Sequence, residues 1–356
     1  MAQTTSPCME EEEKRLLDYL NSFDGSATFP RLTCCNSSRS LYCEKCCKLL
    51  VPDAALPDPI SLRRENQQFN SNFCETSCHK EDERKHPLRL PFNLHIVLED
   101  RRCSATGLHA VALLNNGEEG TAKCFDSVKL IDVTNGDEIP NYSTQQNTQQ
   151  EDPDTISNDP IDQSERVFLL FPSPGESVPI ESVANQIDTL VVLDCKWTKS
   201  SLSRKNAHLA KLTKVHLSNP PKQTHYWRWH NAGSGRVSTI EAIFYAATEI
   251  SDTVYQHMLE ANDVDKSMLE QNRIERRSLI HLLWLFGHQR AATIRAAITR
   301  GKPPPGSAEG KEVARSLRKQ TGEYAWRSER NKEIGKILKE ECRRMKQLAL
   351  EKKVKG

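Results

Sequence analysis

Thr189-Leu190-Val191-Val192-Leu193-Asp194-Cys195-Lys196-Trp197 is the stretch that decides the fold of this chain. Its first five residues are apolar or branched without alternation, which predicts an inner strand covered on both faces. The run then releases a carboxylate, a thiol, an ammonium and an indole. Polar groups at the carboxyl end of such a strand sit where open α/β sheets place their ligand crevice. Further on, Ser238-Thr239-Ile240-Glu241-Ala242 opens a predicted helix, whose first backbone N–H groups lack intrahelical partners and suit an anion. The two stretches are expected to face one cleft. An Asp after a strand is also a common turn residue and a Trp a common core residue, so the weight rests on their joint position.

Working outward, apolar runs at 92–98, 129–133, 166–171 and 213–217 predict further strands. Helices are expected at 9–20, at 105–114 with Ser104 as N-cap, at 180–186, at 201–211 and at 239–250, with further helices to about Thr299. Strands alternating with helices imply a mostly parallel sheet covered on both faces. Residues 141–164 are Gln, Asn, Asp, Ser and Thr with almost nothing to bury, and predict a disordered insertion. The expected organisation is an N-terminal helix with a flexible segment over 1–33 and a cysteine-rich region over 34–89. A catalytic-type α/β domain over 90–300 and a basic helical tail over 301–356 follow.

The chain has 356 residues and a formal net charge of +1, but the charge is polarised. From 308 to 356 there are fifteen Lys and Arg against eight Glu, while 151–165 holds two Glu, four Asp and no base. A basic end suits a polyanionic partner as well as a solvated helix. The N-terminus carries a run of four Glu rather than a secretion signal, and 279–287, the longest apolar candidate span, is broken by His281. An intracellular protein, neither secreted nor membrane-bound, is therefore expected, with its twelve cysteines reduced or ligating metal.

Cys43-Glu44-Lys45-Cys46 has the two-residue spacing that lets two thiolates grip one tetrahedral zinc. With Cys34 and Cys35 upstream, the expected set is Cys34, Cys35, Cys43 and Cys46; Cys47, Cys74, Cys78 and His79 are the alternative donors. Free buried thiols are the competing reading. The apolar run at 166–171 ends in Phe171-Pro172-Ser173-Pro174-Gly175, a loop of restricted backbone that can wall a flat ligand or merely turn. Tyr226-Trp227-Arg228-Trp229-His230 interleaves rings with base, which suits unpaired bases and phosphates, though an alternating strand fits nearly as well. No dinucleotide fingerprint or phosphate loop is present.

Taken in order, these blocks resemble the DTW-domain proteins, the tRNA-uridine aminocarboxypropyltransferases, and most closely their eukaryotic branch. The name motif is matched by Asp194-Cys195-Lys196-Trp197, with Lys196 where the family has Thr. Ser38-Arg39-Ser40-Leu41-Tyr42-Cys43-Glu44-Lys45-Cys46 resembles the family's Arg-x-x-Tyr-Cys-x-x-Cys segment, with Leu32 where a further Cys is usual. Leu90-Pro91-Phe92 with Ala105-Thr106-Gly107-Leu108-His109-Ala110, then Val167-Phe168-Leu169-Leu170-Phe171-Pro172, follow in the family's order. Thr224-His225-Tyr226-Trp227-Arg228 and Ser238-Thr239-Ile240-Glu241-Ala242 complete it.

The resemblance implies a SPOUT-like α/β fold with a trefoil knot whose loops bind S-adenosylmethionine; the cysteine spacing adds an expected zinc knuckle before it. It implies transfer of the 3-amino-3-carboxypropyl group to N3 of a tRNA uridine, in the D-loop, in nucleus or cytoplasm, with no DNA partner. Asp194 is then the expected general base. Phe171, Pro172, Gly175, Trp197, Ser238, Thr239 and Glu241 are the expected cofactor contacts, and Trp227, Arg228 and Arg236 the RNA contacts. The alternatives are a zinc-containing RNA-binding adaptor without catalysis, a methyltransferase of the same fold, and an rRNA-modifying relative.

Overall fold

All five apolar runs form strands in the structure, a computed structural model that describes residues 7–29, 34–35, 41–61, 88–114, 128–142, 166–173, 175–195, 202–221, 224–226, 236–260 and 265–300. They are β1 (Asn93–Leu98), β2 (Val128–Asp132), β3 (Val167–Leu170), β5 (Thr189–Asp194) and β6 (Thr213–His216). A sixth, β4 (Ser177–Pro179), falls in the loop after β3. Three residues ending in proline give no periodicity to read, and a sheet edge is where such a strand is tolerated. The order is β2-β1-β5-β3-β6-β4, with every pairing parallel.

This order explains the unbroken apolar character of 189–193. β5 lies between β1 and β3 and buries both faces, as a parallel inner strand must. Along it, Val191 joins Val97, Ile131, Val167, Leu169, Leu209 and Tyr142 in a core on one face. Leu190, Val192 and Asp194 alternate onto the opposite face. The chain leaves β1 toward β2 but leaves β5 toward β6, on the other side. Neighbouring strands whose connections diverge make the crevice of an open α/β sheet.

The helices are α1 (Pro7–Asn21), α2 (Gly107–Leu114), α3 (Leu202–Lys205), α4 (Ala207–Ala210), α5 (Thr239–Glu260), α6 (Lys266–Ser278) and α7 (Trp284–Thr299). Several expected bounds need correction. Ser104 does not cap α2: its hydroxyl bonds Asp100 and the Arg101 carbonyl, and the helix starts at Gly107. The helix expected at 201–211 is two short ones, because the Asn206 side chain accepts the N–H groups of His208 and Leu209 and begins a second helix there. The segment at 180–186 is a 3-10 helix. Tyr142, assigned by composition to the insertion, is buried, and its hydroxyl meets His95 Nδ1 at 3.1 Å.

The contacts divide the chain in two. Met1–Tyr226 with His230–Ala292 form the sheet unit. Trp227–Trp229 with Thr293–Gly356 form the second, described only over 293–300, the end of α7 and one further residue. The tail at 301–356, the insertion over 143–164, and Leu32, Cys74, Cys78, His79, Lys196, Trp197, Trp227 and Arg228 lie outside the described residues. No helix among the described residues is long and apolar enough to cross a membrane.

Candidate active site

Asp194 ends β5 in register with Leu98, the last residue of β1, which pairs in turn with Asp132 at the end of β2. Two carboxylates therefore stand in one row at the carboxyl edge of the sheet. The β1–α2 segment holds both. Gly107 N–H, at the first residue of α2, donates to Asp194 Oδ2 at 2.6 Å. Arg102 Nε donates to Asp132 Oδ2 at 2.6 Å. The N–H groups of Glu99 and Asp100 bond the Asp194 carbonyl, at 3.0 and 3.2 Å.

Asp194 is buried, 5 % exposed as a residue. It also accepts the hydroxyl of Thr239, the first residue of α5. The carboxylate thus sits where two helix N-termini converge, a favourable place for negative charge. Burial nevertheless prevails, pushing its pKa up to about 6 against the pull of Gly107 and Thr239, with Asp100 adding a smaller upward push. A carboxylate poised near neutrality is suited to accept a proton. Gly107 is required by contact: a Cβ there would stand 2.7 Å from Asp194 Oδ2 and 3.1 Å from Ile96 Cγ2.

The start of α5 is built differently from expectation. The N–H groups of 238–242 are expected to be free for an anion, but Ser238 N donates to Glu241, Ile240 N to Thr106 Oγ1 and Ala242 N to the Ser238 carbonyl. The chain supplies its own anions at this helix end. Glu241 is fully buried and accepts from Thr224 Oγ1 (2.6 Å), His225 N (2.7 Å), Ser238 N (2.8 Å) and Ser238 Oγ (2.6 Å). Its reach back to Ser238 N–H is half of a capping box. Glu241, an expected cofactor contact, straps residues 224–225 to the helix start.

The remaining expected residues fall as follows. Thr239 touches Asp194, and Ser238 is buried beside it on Glu241. Arg236 is exposed and close enough to Cys195 to lower its thiol pKa slightly. Burial, with Glu99, Asp194 and Asp100 nearby, holds that thiol up at about 12, so it is no nucleophile at neutral pH. Phe171, half-buried, packs against the core, and its N–H bonds the Val215 carbonyl. Pro172 and Gly175 (φ 76°) are exposed on the loop leaving β3, the immediate neighbour of β5, at the same sheet edge. Gly107, Thr106, Arg102 and Asp132 were not expected in the site. The signal for Gly107 is a glycine at the start of an otherwise apolar helix, where only a close approach justifies it. A surface depression of about 610 Å3, lined by Pro179, Glu181, Asp252 and His257 among others, lies on the far half of α5. Asp252 is 13 residues beyond Thr239, about 20 Å of helix, so this depression is separate from Asp194.

The cysteine region forms a tight hairpin. Tyr42 bridges Leu49, Cys43 N–H donates to the Lys48 carbonyl at 2.8 Å, and Cys47 turns the chain with φ 57°. The sulfurs of Cys34, Cys35, Cys43 and Cys46 all lie within 4.8 Å of one another. Tetrahedral zinc with bonds of about 2.3 Å would set them about 3.8 Å apart. Cys34 and Cys35 are at 3.7 Å, and Cys34 and Cys46 at 3.0 Å. Burial raises the Cys43 thiol pKa, but N–H groups of Cys46 and Lys45 pull it down to about 7, favouring thiolate. The Cys34 and Cys35 thiols, off the turn, are raised instead, Cys34 to about 12, chiefly by its hydrogen bond with Cys46; it is the convergence of four sulfurs that fits a zinc ion.

Searches of curated proteins and of solved structures find no match to this chain. A family model does match: the DTW domain, over residues 95–271, which run from β1 through β5 and the start of α5 into α6. The chain belongs to the DTW-domain family.

Proposed function

We propose that this protein transfers the 3-amino-3-carboxypropyl group of S-adenosylmethionine to N3 of a uridine in tRNA. The DTW domain is consistent with tRNA modification, and the observation that carries the finer reading is the buried carboxylate of Asp194, held near neutrality at the sheet's switch point. The uridine imide is a poor nucleophile until its N3 proton is removed. Asp194 takes that proton, N3 bonds to the γ carbon of the aminocarboxypropyl arm, the carbon–sulfur bond breaks, and methylthioadenosine leaves. The α5 start and the loops after β3 and β5 supply the walls that turn this arm, rather than the methyl group, toward the base.

Trp197 and Phe171 are proposed walls of the cofactor pocket. Trp227, Arg228 and Arg236, with the basic tail, are the proposed grip on tRNA. The cysteine cluster is proposed to hold a structural zinc ion through Cys34, Cys35, Cys43 and Cys46. A SPOUT-like knot is part of the proposal. It is supported by the chain's return from β6, at one side of β3, to place Thr239 against Asp194 on the other.

The test is to identify the nucleoside released when the protein acts on S-adenosylmethionine and unmodified tRNA. Methylthioadenosine supports the transfer. Adenosylhomocysteine would make the protein a methyltransferase, and failure to bind S-adenosylmethionine in calorimetry would leave an RNA-binding adaptor.

A further inference from the structure

The residues between the paired cysteines are not free of the sheet. Arg102 Nη1 donates to the carbonyls of Glu44 (3.0 Å) and Lys45 (2.7 Å), the two residues enclosed by Cys43 and Cys46, and lies 4.0 Å from Cys47 Sγ. The same guanidinium, through Nε, holds Asp132, which is 1 % exposed. Asp132 is itself fixed, accepting the N–H and hydroxyl of Thr134 and the amide of Asn135. Arg102 therefore clamps the chelating turn to the carboxyl end of β2.

Arg102 also belongs to the segment that holds Asp194. Three residues before it, Glu99 N–H bonds the Asp194 carbonyl, and five residues after it Gly107 N–H bonds the carboxylate. A second contact runs in parallel. Tyr42, buried and adjacent to Cys43, packs edge-on against His109 of α2 with ring centroids 5.3 Å apart. The hairpin thus touches both supports of Asp194: the segment after β1 through Arg102, and α2 through Tyr42.

We propose that Arg102 is a positioning residue that couples the cysteine cluster to Asp194, so that metal held by the cysteines sets the geometry of the carboxylate. When the four sulfurs are gathered on one ion, the turn at 44–45 presents its two carbonyls at a fixed spacing, and the planar guanidinium locks onto them and Asp132 together. When they are not, the turn loosens, the clamp loses one side, and the 99–107 segment gains freedom beneath Asp194. The functional meaning rests on the reading of Asp194 as the working carboxylate; the mechanical coupling does not.

The test uses the full-length protein as wild type, Arg102→Ala and Arg102→Lys. Metal content is read by elemental mass spectrometry and hydrogen exchange by peptide, with α6 (Lys266–Ser278) as the reference region. Stripping zinc from the wild type with a chelator is expected to speed exchange over 99–110 by about tenfold or more while α6 is unchanged. Arg102→Ala is expected to show the same faster exchange with zinc retained. Its transfer rate should fall about tenfold with a shifted pH midpoint and a nearly constant KM for S-adenosylmethionine. Arg102→Lys is not expected to rescue it, because the three donors of an ammonium radiate from one nitrogen, whereas Arg102 reaches Asp132 from Nε and the two carbonyls from Nη1. Unchanged exchange over 99–110 in the stripped wild type overturns the proposal. So does loss of protection in α6 as well, since the metal would then hold the whole fold. If exchange responds as expected but the wild type neither binds S-adenosylmethionine nor transfers, the coupling stands and the transferase reading falls.

Discussion

Replacing Asp194 by Asn separates what this carboxylate does for the fold from what it does for chemistry. The residue is 5 % exposed, and burial lifts the side chain's pKa from 3.8 to about 6. An acid whose folded pKa lies above its unfolded value binds its proton more tightly when folded. The stability this contributes is full below about pH 4 and is lost as pH rises through about 6. A shift of about two units corresponds to about 3 kcal/mol, so at pH 7 the wild type bears a cost of that order for keeping the buried group charged. Asn is uncharged, and its carbonyl oxygen can still accept the Gly107 N–H that Asp194 Oδ2 accepts at 2.6 Å. Asp194→Asn should therefore be more stable than wild type at pH 7 to 8 by up to about 3 kcal/mol, or roughly 5–10 °C in Tm. The gap should close as pH falls from 6 to 4. Transfer should drop by about a hundredfold or more, since the carboxamide cannot take the N3 proton. Thermal and urea unfolding of both proteins from pH 4 to 8 gives the comparison. A gap that does not change with pH, or a wild type more stable than the variant at pH 8, refutes the claim that Asp194 is held protonation-poised by burial.

Gly107→Ala would normally gain about 1 kcal/mol in a helix. Here its Cβ would stand 2.7 Å from Asp194 Oδ2, so a net loss of about 1–3 kcal/mol and of most activity is expected, and wild-type unfolding and turnover would contradict it. Glu241→Gln places an amide among four donors; the urea midpoint should report a loss of about 3 kcal/mol, and a change under about 0.5 kcal/mol would remove its strapping role. Cys43→Ser should lower bound zinc from one per chain toward none, whereas Cys103→Ser, at an exposed cysteine outside the cluster, should leave it unchanged.

The sheet was legible because burial on both faces leaves a compositional trace. Residues 189–193 could be ranked as an inner strand from their lack of alternation, and β5 does lie mid-sheet. The meeting of Asp194 with Thr239 was also legible, since both lie at element ends that open α/β sheets bring to one edge. The pairing inside that edge was not. Arg102 finds Asp132 and the 44–45 carbonyls across separations of 30 and 57 to 58 residues, and a lone arginine in a polar loop carries no sign of such partners. Nor does Glu241 in a Ser-x-x-Glu capping pattern announce that it will also bind Thr224 and His225. Composition misplaced Tyr142 for a related reason: one aromatic at the border of a polar tract is outvoted by its neighbours, although the sheet buries it.

The proposed role of the acid at the end of β5 is to drive alkyl transfer to a tRNA uridine. It is tested most directly by digesting unmodified tRNA to nucleosides after incubation with S-adenosylmethionine and either wild type or Asp194→Ala, and weighing the products. The wild type should yield a uridine heavier by one aminocarboxypropyl group, and the variant none although it still binds S-adenosylmethionine. Equal modification by the variant, or a wild type that leaves every uridine unchanged, would contradict it.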